Sequence, residues 1–368
     1  MADIPIVDGT RPNWPATALG LAGAAAAIAA ASRIPDPALL PLLAVTMLIG
    51  AAFVLLDFGF TGGFRSFVER GDGRALGAAF VVPAVAALVV VPVGTMVEGY
   101  QRFVAPLGLS LVGGAALFGV GMQLAGGCGS GALVAAGRGS RRMLVALPFF
   151  GLGGVVGSLA LPSALALPSF AAVDLAETLG PWGGLAATEG LLLAAALAVL
   201  RGARPSGAGI AKGALIGGVA AVIFAISGQP WGITMGFTLW GAKALSAVGI
   251  DLSGSAFWSD PAMADALRGP LLAMHASAGD AGVILGALVA AAATGRLRHQ
   301  APIGRRAALA AALGGALMGI GSRLAFGCNV GAFVGGASSA SLHGLVWVAA
   351  ALPGCWLGLR LRRRLRAD

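Results

Sequence analysis

"GAALFGVGMQLAGGCGSGA" (residues 114–132) and "GGALMGIGSRLAFGCNVGA" (residues 314–332) are identical at 11 of 19 positions, at a constant offset of 200. Cys128 aligns with Cys328, Gly127 with Gly327 and Gly131 with Gly331, and a Leu-Ala pair precedes both cysteines at the same distance. Shared glycine and alanine can come from composition alone. A shared Leu-Ala-x-Gly-Cys-x-x-Gly does not easily do so, and the chain reads as a duplicated unit. A fainter pair sits earlier in each half: "GFTGGFR" (59–65) and "GFTLWGAK" (236–243) both open on Gly-Phe-Thr and close on a basic residue.

What surrounds these loops fixes the solvent. Of 368 residues, 58% are hydrophobic and 11% charged, and mean hydropathy is +0.89, against about 25% charge in soluble domains. Ten apolar stretches lie near 17–32, 39–56, 76–97, 105–125, 143–161, 184–201, 210–227, 271–294, 306–326 and 342–360. Each is long enough to cross about 30 Å of hydrocarbon as a helix. Apolar/polar alternation is absent, which argues against an outer-membrane barrel. Asp3, Asp8 and prolines before the first apolar run argue against a cleaved leader.

The formal charge of +9 follows orientation rather than nucleic acid. Arg65, Arg70 and Arg74; Arg138, Arg141 and Arg142; Arg201, Arg204 and Lys212; Arg296, Arg298, Arg305 and Arg306; and Arg360 to Arg366 share one side if every stretch crosses. The connections holding Asp174 and Glu177, or Asp251, Asp260 and Asp265, carry little positive charge. This pattern puts both termini in the cytoplasm of a multi-pass inner-membrane protein. Three cysteines within membrane spans are no disulfide scaffold.

Five crossings per half are odd, so the second half enters the bilayer from the opposite side. The expected fold is an all-α integral membrane protein built as an inverted repeat of about five plus five helices, residues 1–180 and 181–368. Re-entrant or broken helices meet at a central constriction, with substrate held near the midplane between the repeats. Cys128 and Cys328 then face one another.

Glycine admits positive φ and lets backbone amides approach a ligand. Short helices beginning near Gly129 and Asn329 aim free N–H groups and positive dipole ends at an anion. The thiols add a soft donor and acceptor, suited to the terminal sulfur of thiosulfate rather than to sulfate oxygens. Arg323, an ionisable residue inside an apolar span, belongs against a cavity or partner, and Gln123, its match in the repeat, could donate to substrate or pack between helices.

The paired cysteine loops, "PWGITMGFTLWGAKAL" (230–245) and "FGFTGGFR" (58–65) resemble the YeeE/YedE sulfur-transport family, from about residue 40 to 360. The resemblance implies an hourglass-shaped inner-membrane protein with about nine helices and four short loops at a constriction. It further implies passage of thiosulfate by hydrogen bonding to Cys128 and Cys328 without covalent turnover, and a small cytoplasmic sulfurtransferase-like partner of the TusA type. The substrate-binding set is then Cys128, Cys328, Gly127, Gly129, Gly131, Gly327, Asn329, Gly331, Gln123, Arg323, Thr61, Thr238 and Lys243. Cys355 lies outside both loops and reads as a buried small hydrophobe. A membrane thiol redox protein cycling a Cys128–Cys328 disulfide is the alternative, without a CxxC or haem motif to support it.

No enzyme chemistry, cofactor or metal site is expected. Asp57, Lys243 and Asp280 suit pairing or capping as well as a path. His275 has no ligand partner at metal spacing; His299 and His343 read as loop residues. Trp182, Trp231, Trp258 and Trp347 read as interface anchors.

Overall fold

The computed structural model describes residues 11–297 and 302–365; Asp3, Asp8, Arg298, His299 and Arg366 lie outside them. Among the described residues, ten helices are long and apolar enough to cross a membrane, the number expected from the sequence. The chain is an all-α, multi-pass membrane protein. The only sheet described is a two-residue pairing of Leu107–Gly108 with Ser169–Phe170.

The first half runs through α1 (Trp14–Ala31), α2 (Leu39–Leu56), α3 (Phe60–Arg70), α4 (Arg74–Ala79), α5 (Val81–Met96), α6 (Leu109–Ala125), α7 (Gly129–Gly137) and α8 (Arg141–Leu165). The second runs through α9 (Leu175–Leu200), α10 (Gly207–Ser227), α11 (Thr234–Ala247), α12 (Pro261–Arg268), α13 (His275–Ala293), α14 (Arg305–Leu324), a π-helix at Asn329–Gly336 and α15 (His343–Arg364). The helices that carry the repeated motifs are short: α3 has 11 residues, α7 nine, α11 14 and the π-helix eight. At about 1.5 Å per residue none reaches across 30 Å of hydrocarbon.

Packing partners recur between the halves. α8 lies on α14 as α6 lies on α15; α2 lies on α13 as α10 lies on α5; α1 lies on α13 as α9 lies on α5. The matched helices α6 and α14 also pack on each other, and glycine makes that crossing possible. A Cβ on Gly114 would lie 2.6 Å from Ala325 N and 2.8 Å from Gly321 O; one on Gly314 would meet Ala125 and lie 2.8 Å from Gly121 O. The start of each helix therefore meets the end of the other, and the two run antiparallel. Without a hydrophobic force between helices in lipid, such close backbone approach is a main source of association.

One end of the molecule is tied by arginines. Arg296 donates to Val54 O and Leu55 O, Arg142 to Leu124 O and Ala125 O, and Arg362 to Gln123 O. Arg138 pairs with Asp57 and Arg363 with Glu69. Asn13 N bonds to Ala292 O at this end, so the described chain begins and ends there.

At the opposite end Arg102 bridges Asp174 and Ser339 O, and His275 contacts Asp36 at 2.8 Å. His343 is a correction: it opens α15, fully buried, with Nδ1 2.8 Å from Ser341 Oγ. Trp231, Trp258 and Trp347 are also corrected, being buried core residues; of the four, only Trp182 is exposed.

Candidate functional site

Each cysteine caps a short helix. Cys128 precedes α7, with Sγ accepting from Gly131 N at 3.4 Å and lying 3.6 Å from Ser130 Oγ. Cys328 precedes the π-helix, with Sγ accepting from Val330 N at 3.4 Å and from Gly331 N. A helix start leaves N–H groups without intrahelical partners, and an N-cap side chain meets some of them. Here the cap is a thiol, so both sulfurs sit at positive helix ends. The sequence leads one to expect the N–H groups of these helix starts to face an anion, but those of Gly131, Val330 and Gly331 point at sulfur.

The two loops meet. A Cβ on Gly129 would lie 3.1 Å from Cys328 Sγ and 3.6 Å from Ile233 Cγ2. Both thiols are fully buried, and all three cysteines are free. Gly327 is required on two counts: its φ is +151°, and a Cβ there would lie 2.5 Å from Ala332 N. Gly127 needs no such freedom; its nearest neighbour is the flexible Met143 Sδ at 3.2 Å. Asn329, fully buried at the start of the π-helix, has hydrogen-bond partners for neither its Oδ1 nor its Nδ2 among the described residues.

A cavity of about 1110 Å³ reaches the second loop, lined there by Gly327, Gly331, Ile233 and Thr234 and elsewhere by Arg102, Arg323 and His275. Arg323 projects into it and lays its guanidinium over the Phe257 ring at 5.3 Å. Aromatic rings collar the π-helix: Phe60 and Phe80 pack edge-on against Phe333, while Phe58 and Trp231 stack on Phe53.

Cys128, Gly129, Gly131, Gly327, Cys328, Asn329 and Gly331 are thus brought together, with Gly127 beside them. The other expected residues stand apart. Gln123 is buried toward the arginine-tied end beside Cys355, while its counterpart Arg323 faces the cavity. Thr61 is half-buried on α3. Thr238 donates to Thr234 O and packs on Gly154 of α8. Lys243 donates to the carbonyls of Leu267 and Gly269 at 2.7 Å each.

Sequence reasoning left out Ile233, Thr234 and the aromatic collar. Their signal lay in Pro-Trp-Gly-Ile-Thr and Phe-Gly-Phe-Thr, which carry the loops' neighbours rather than the loops. It also left Asp280 undecided; that carboxyl packs against Gly236 of α11.

Residues 57–357 match the family described as Sulphur transport. The chain belongs to that family. Proteins similar to it include the probable transporter YedE of Escherichia coli, 31% identical over 137 residues, which are 37% of this chain and 33% of that protein. YedE of Salmonella typhimurium matches to the same extent. The thiosulfate transporter TsuA of Spirochaeta thermophila is 28% identical over 271 residues, 66% of this chain and 75% of that one. The match thus spans about a third of the YedE proteins and three quarters of TsuA. The family and these relatives are transporters, not enzymes.

Proposed function

We propose that this protein takes up thiosulfate, or a closely related small reduced-sulfur anion, across the bacterial inner membrane through the waist where the two Gly-Cys loops meet. The observation that carries the reading is the placement of Cys328 Sγ against Gly129, the residue after Cys128, next to Gly327 and Gly331, which line a cavity of about 1110 Å³. Two thiols and an unpartnered amide side chain offer soft contacts to a terminal sulfur and a donor to anionic oxygens.

The antiparallel crossing of α6 and α14 and the recurring packing pairs support an inverted repeat, residues 1–180 against 181–368. α1 is then the partner of α9, which accounts for ten helices where the resemblance implies nine. The positive-inside rule assigns the arginine-tied end, and both termini, to the cytoplasm. The cavity accordingly opens to the outside. Arg323, which lines the cavity, draws anions into it, and Thr61, Thr238, Lys243 and Gln123 support the loops from behind. The same arginine-rich end offers the docking side for a small TusA-type sulfurtransferase that would receive the anion. Similarity to a protein named a thiosulfate transporter supports this choice of substrate.

The test is uptake of thiosulfate labelled on its outer sulfur into cells lacking their other thiosulfate transporters, with sulfate as competitor. Saturable uptake that excess sulfate leaves intact supports the reading. Uptake equal to that of cells without the protein removes it.

A further inference from the structure

The waist holds a carboxyl group that transport of an anion does not by itself explain. Asp280 lies in the second turn of α13, fully buried, and neither carboxyl oxygen has a hydrogen-bond partner among the described residues. It packs against the backbone at Gly236 in the Gly-Phe-Thr segment, with Cys328 nearby. An unpaired carboxylate in a dry interior is expensive to keep, and an acid in such a place takes up a proton instead. Ionisable groups at membrane depth are the usual stations of proton relays.

Among the described residues, no cation offers Asp280 a partner from the elements that pack most on α13. α1, α2, α7 and the turn Leu271–Ala273 carry no charged residue. Lys243 of α11 is held by the carbonyls of Leu267 and Gly269. Arg138, after α7, pairs with Asp57, which follows α2. On α13 itself, His275 is bound to Asp36. Among the described titratable groups, those nearby in the waist are the thiols of Cys128 and Cys328, while the Arg323 guanidinium lies over the Phe257 ring.

Resting on the transport reading above, we propose that Asp280 is the proton-binding group of this carrier, protonated while the anion sits between the cysteine loops, so that a proton enters with each anion. Two consequences follow from elementary chemistry. A neutral carboxyl donates a hydrogen bond to an anion where a carboxylate would repel it, as buried acids kept neutral do in other sites. A doubly charged anion entering a cell with a negative interior moves uphill, and a proton carried alongside removes part of that charge. Release of the anion leaves Asp280 free to give up its proton to water on the inner side, and the proton on the outer side returns it to the binding form.

The experiment uses the purified full-length protein in proteoliposomes, with the membrane potential clamped at zero by potassium and valinomycin. Labelled thiosulfate accumulation is measured with and without an imposed gradient, acid outside. For each proton coupled, one pH unit of gradient raises accumulation about tenfold at steady state, and a protonophore abolishes the rise. The Asp280→Asn protein is expected to lose the response to the gradient, its ratio of uptake with and without it falling to about one. Infrared spectra of the wild-type protein at neutral pH are expected to contain a protonated-carboxyl C=O band that is missing from Asp280→Asn, a readout that needs no transport. Wild-type uptake indifferent to the gradient, or spectra without that band, overturns the inference and leaves thiosulfate transport standing. Absence of thiosulfate uptake under every condition removes the transport reading and this inference with it.

Discussion

At the first cysteine loop the end of α6 is closed by arginine: Arg142 donates to Leu124 O at 2.6 Å and Ala125 O at 2.7 Å, and Arg362 to Gln123 O. At the second loop the corresponding end of α14 receives one hydroxyl, Ser110 Oγ on Leu324 O at 2.7 Å, and the space beyond is the cavity. Gly153 of α8 and Gly354 of α15 hold matching positions, packed on Ala316 and Ala116. Counting from them, Arg142 corresponds to His343 and Arg362 to Leu161, and Leu161 lines the cavity. Two loops nearly alike in sequence are thus sealed on the arginine-tied side and open on the other. The difference lies in four residues outside the repeated motif, and it leaves the cavity on the side away from the arginine-tied end.

The comparison extends to backbone. The first turn uses Gly126 at φ +85°, whereas the second uses Phe326 at +61° followed by Gly327 at +151°, and it leads into a π-helix rather than an α-helix. The largest expected effect breaks this asymmetry directly. Gly327→Ala strains the backbone and drives a Cβ into Ala332 N, costing about 3 kcal/mol, while Gly127→Ala costs under about 1 kcal/mol because Met143 can move. Thermal unfolding in detergent should separate the pair by several degrees; equal midpoints would mean the two loops are not differently constrained.

Next in size is the seal. Arg142→Ala removes hydrogen bonds from a charged donor, each of about 1.5–3 kcal/mol, and should raise labelling of Cys128 by a membrane-impermeant thiol reagent from the arginine-tied side several-fold. Unchanged labelling would show that Arg142 does not close that end. Replacing both Cys128 and Cys328 by serine should lower thiosulfate uptake about tenfold, the equivalent of roughly 1.4 kcal/mol, while slow leakage of anions persists. Complete loss of every anion flux would favour thiol redox cycling instead. Smallest is Ser110→Ala, which removes one neutral hydrogen bond worth about 1 kcal/mol and should lower the midpoint by a degree or two without changing transport selectivity.

Much of this architecture is legible in the chain. Ten apolar runs, the arginine clusters and the offset of 200 between cysteine loops give the number of crossings, a shared basic end and the meeting of the loops. Each signal is local or periodic, so the sequence carries it openly. What it hides are relations between distant segments. Nothing in "GGALMGIGSR" says that Gly314 and Gly321 pack on Gly121 and Gly114, since small residues look the same whether they face lipid or another helix. Lys243 has the composition of an anion ligand, yet its reach to the carbonyls of Leu267 and Gly269 depends on how 250–274 folds back. His343 reads as a loop residue because its burial against Gly336 comes from tertiary packing. The tryptophans misled for a related reason: their general preference for interfaces gave way to burial at Trp231, Trp258 and Trp347, set by packing between distant segments.

The central claim is that Cys128 and Cys328, from two oppositely directed loops, share one waist. The most direct measurement uses the Cys355→Ala protein treated with the shortest homobifunctional methanethiosulfonate, followed by mass spectrometry of the digested chain. A linked pair of peptides containing Cys128 and Cys328, its yield reduced by thiosulfate, is the predicted result. Single modification of each cysteine without any link between them would contradict the account.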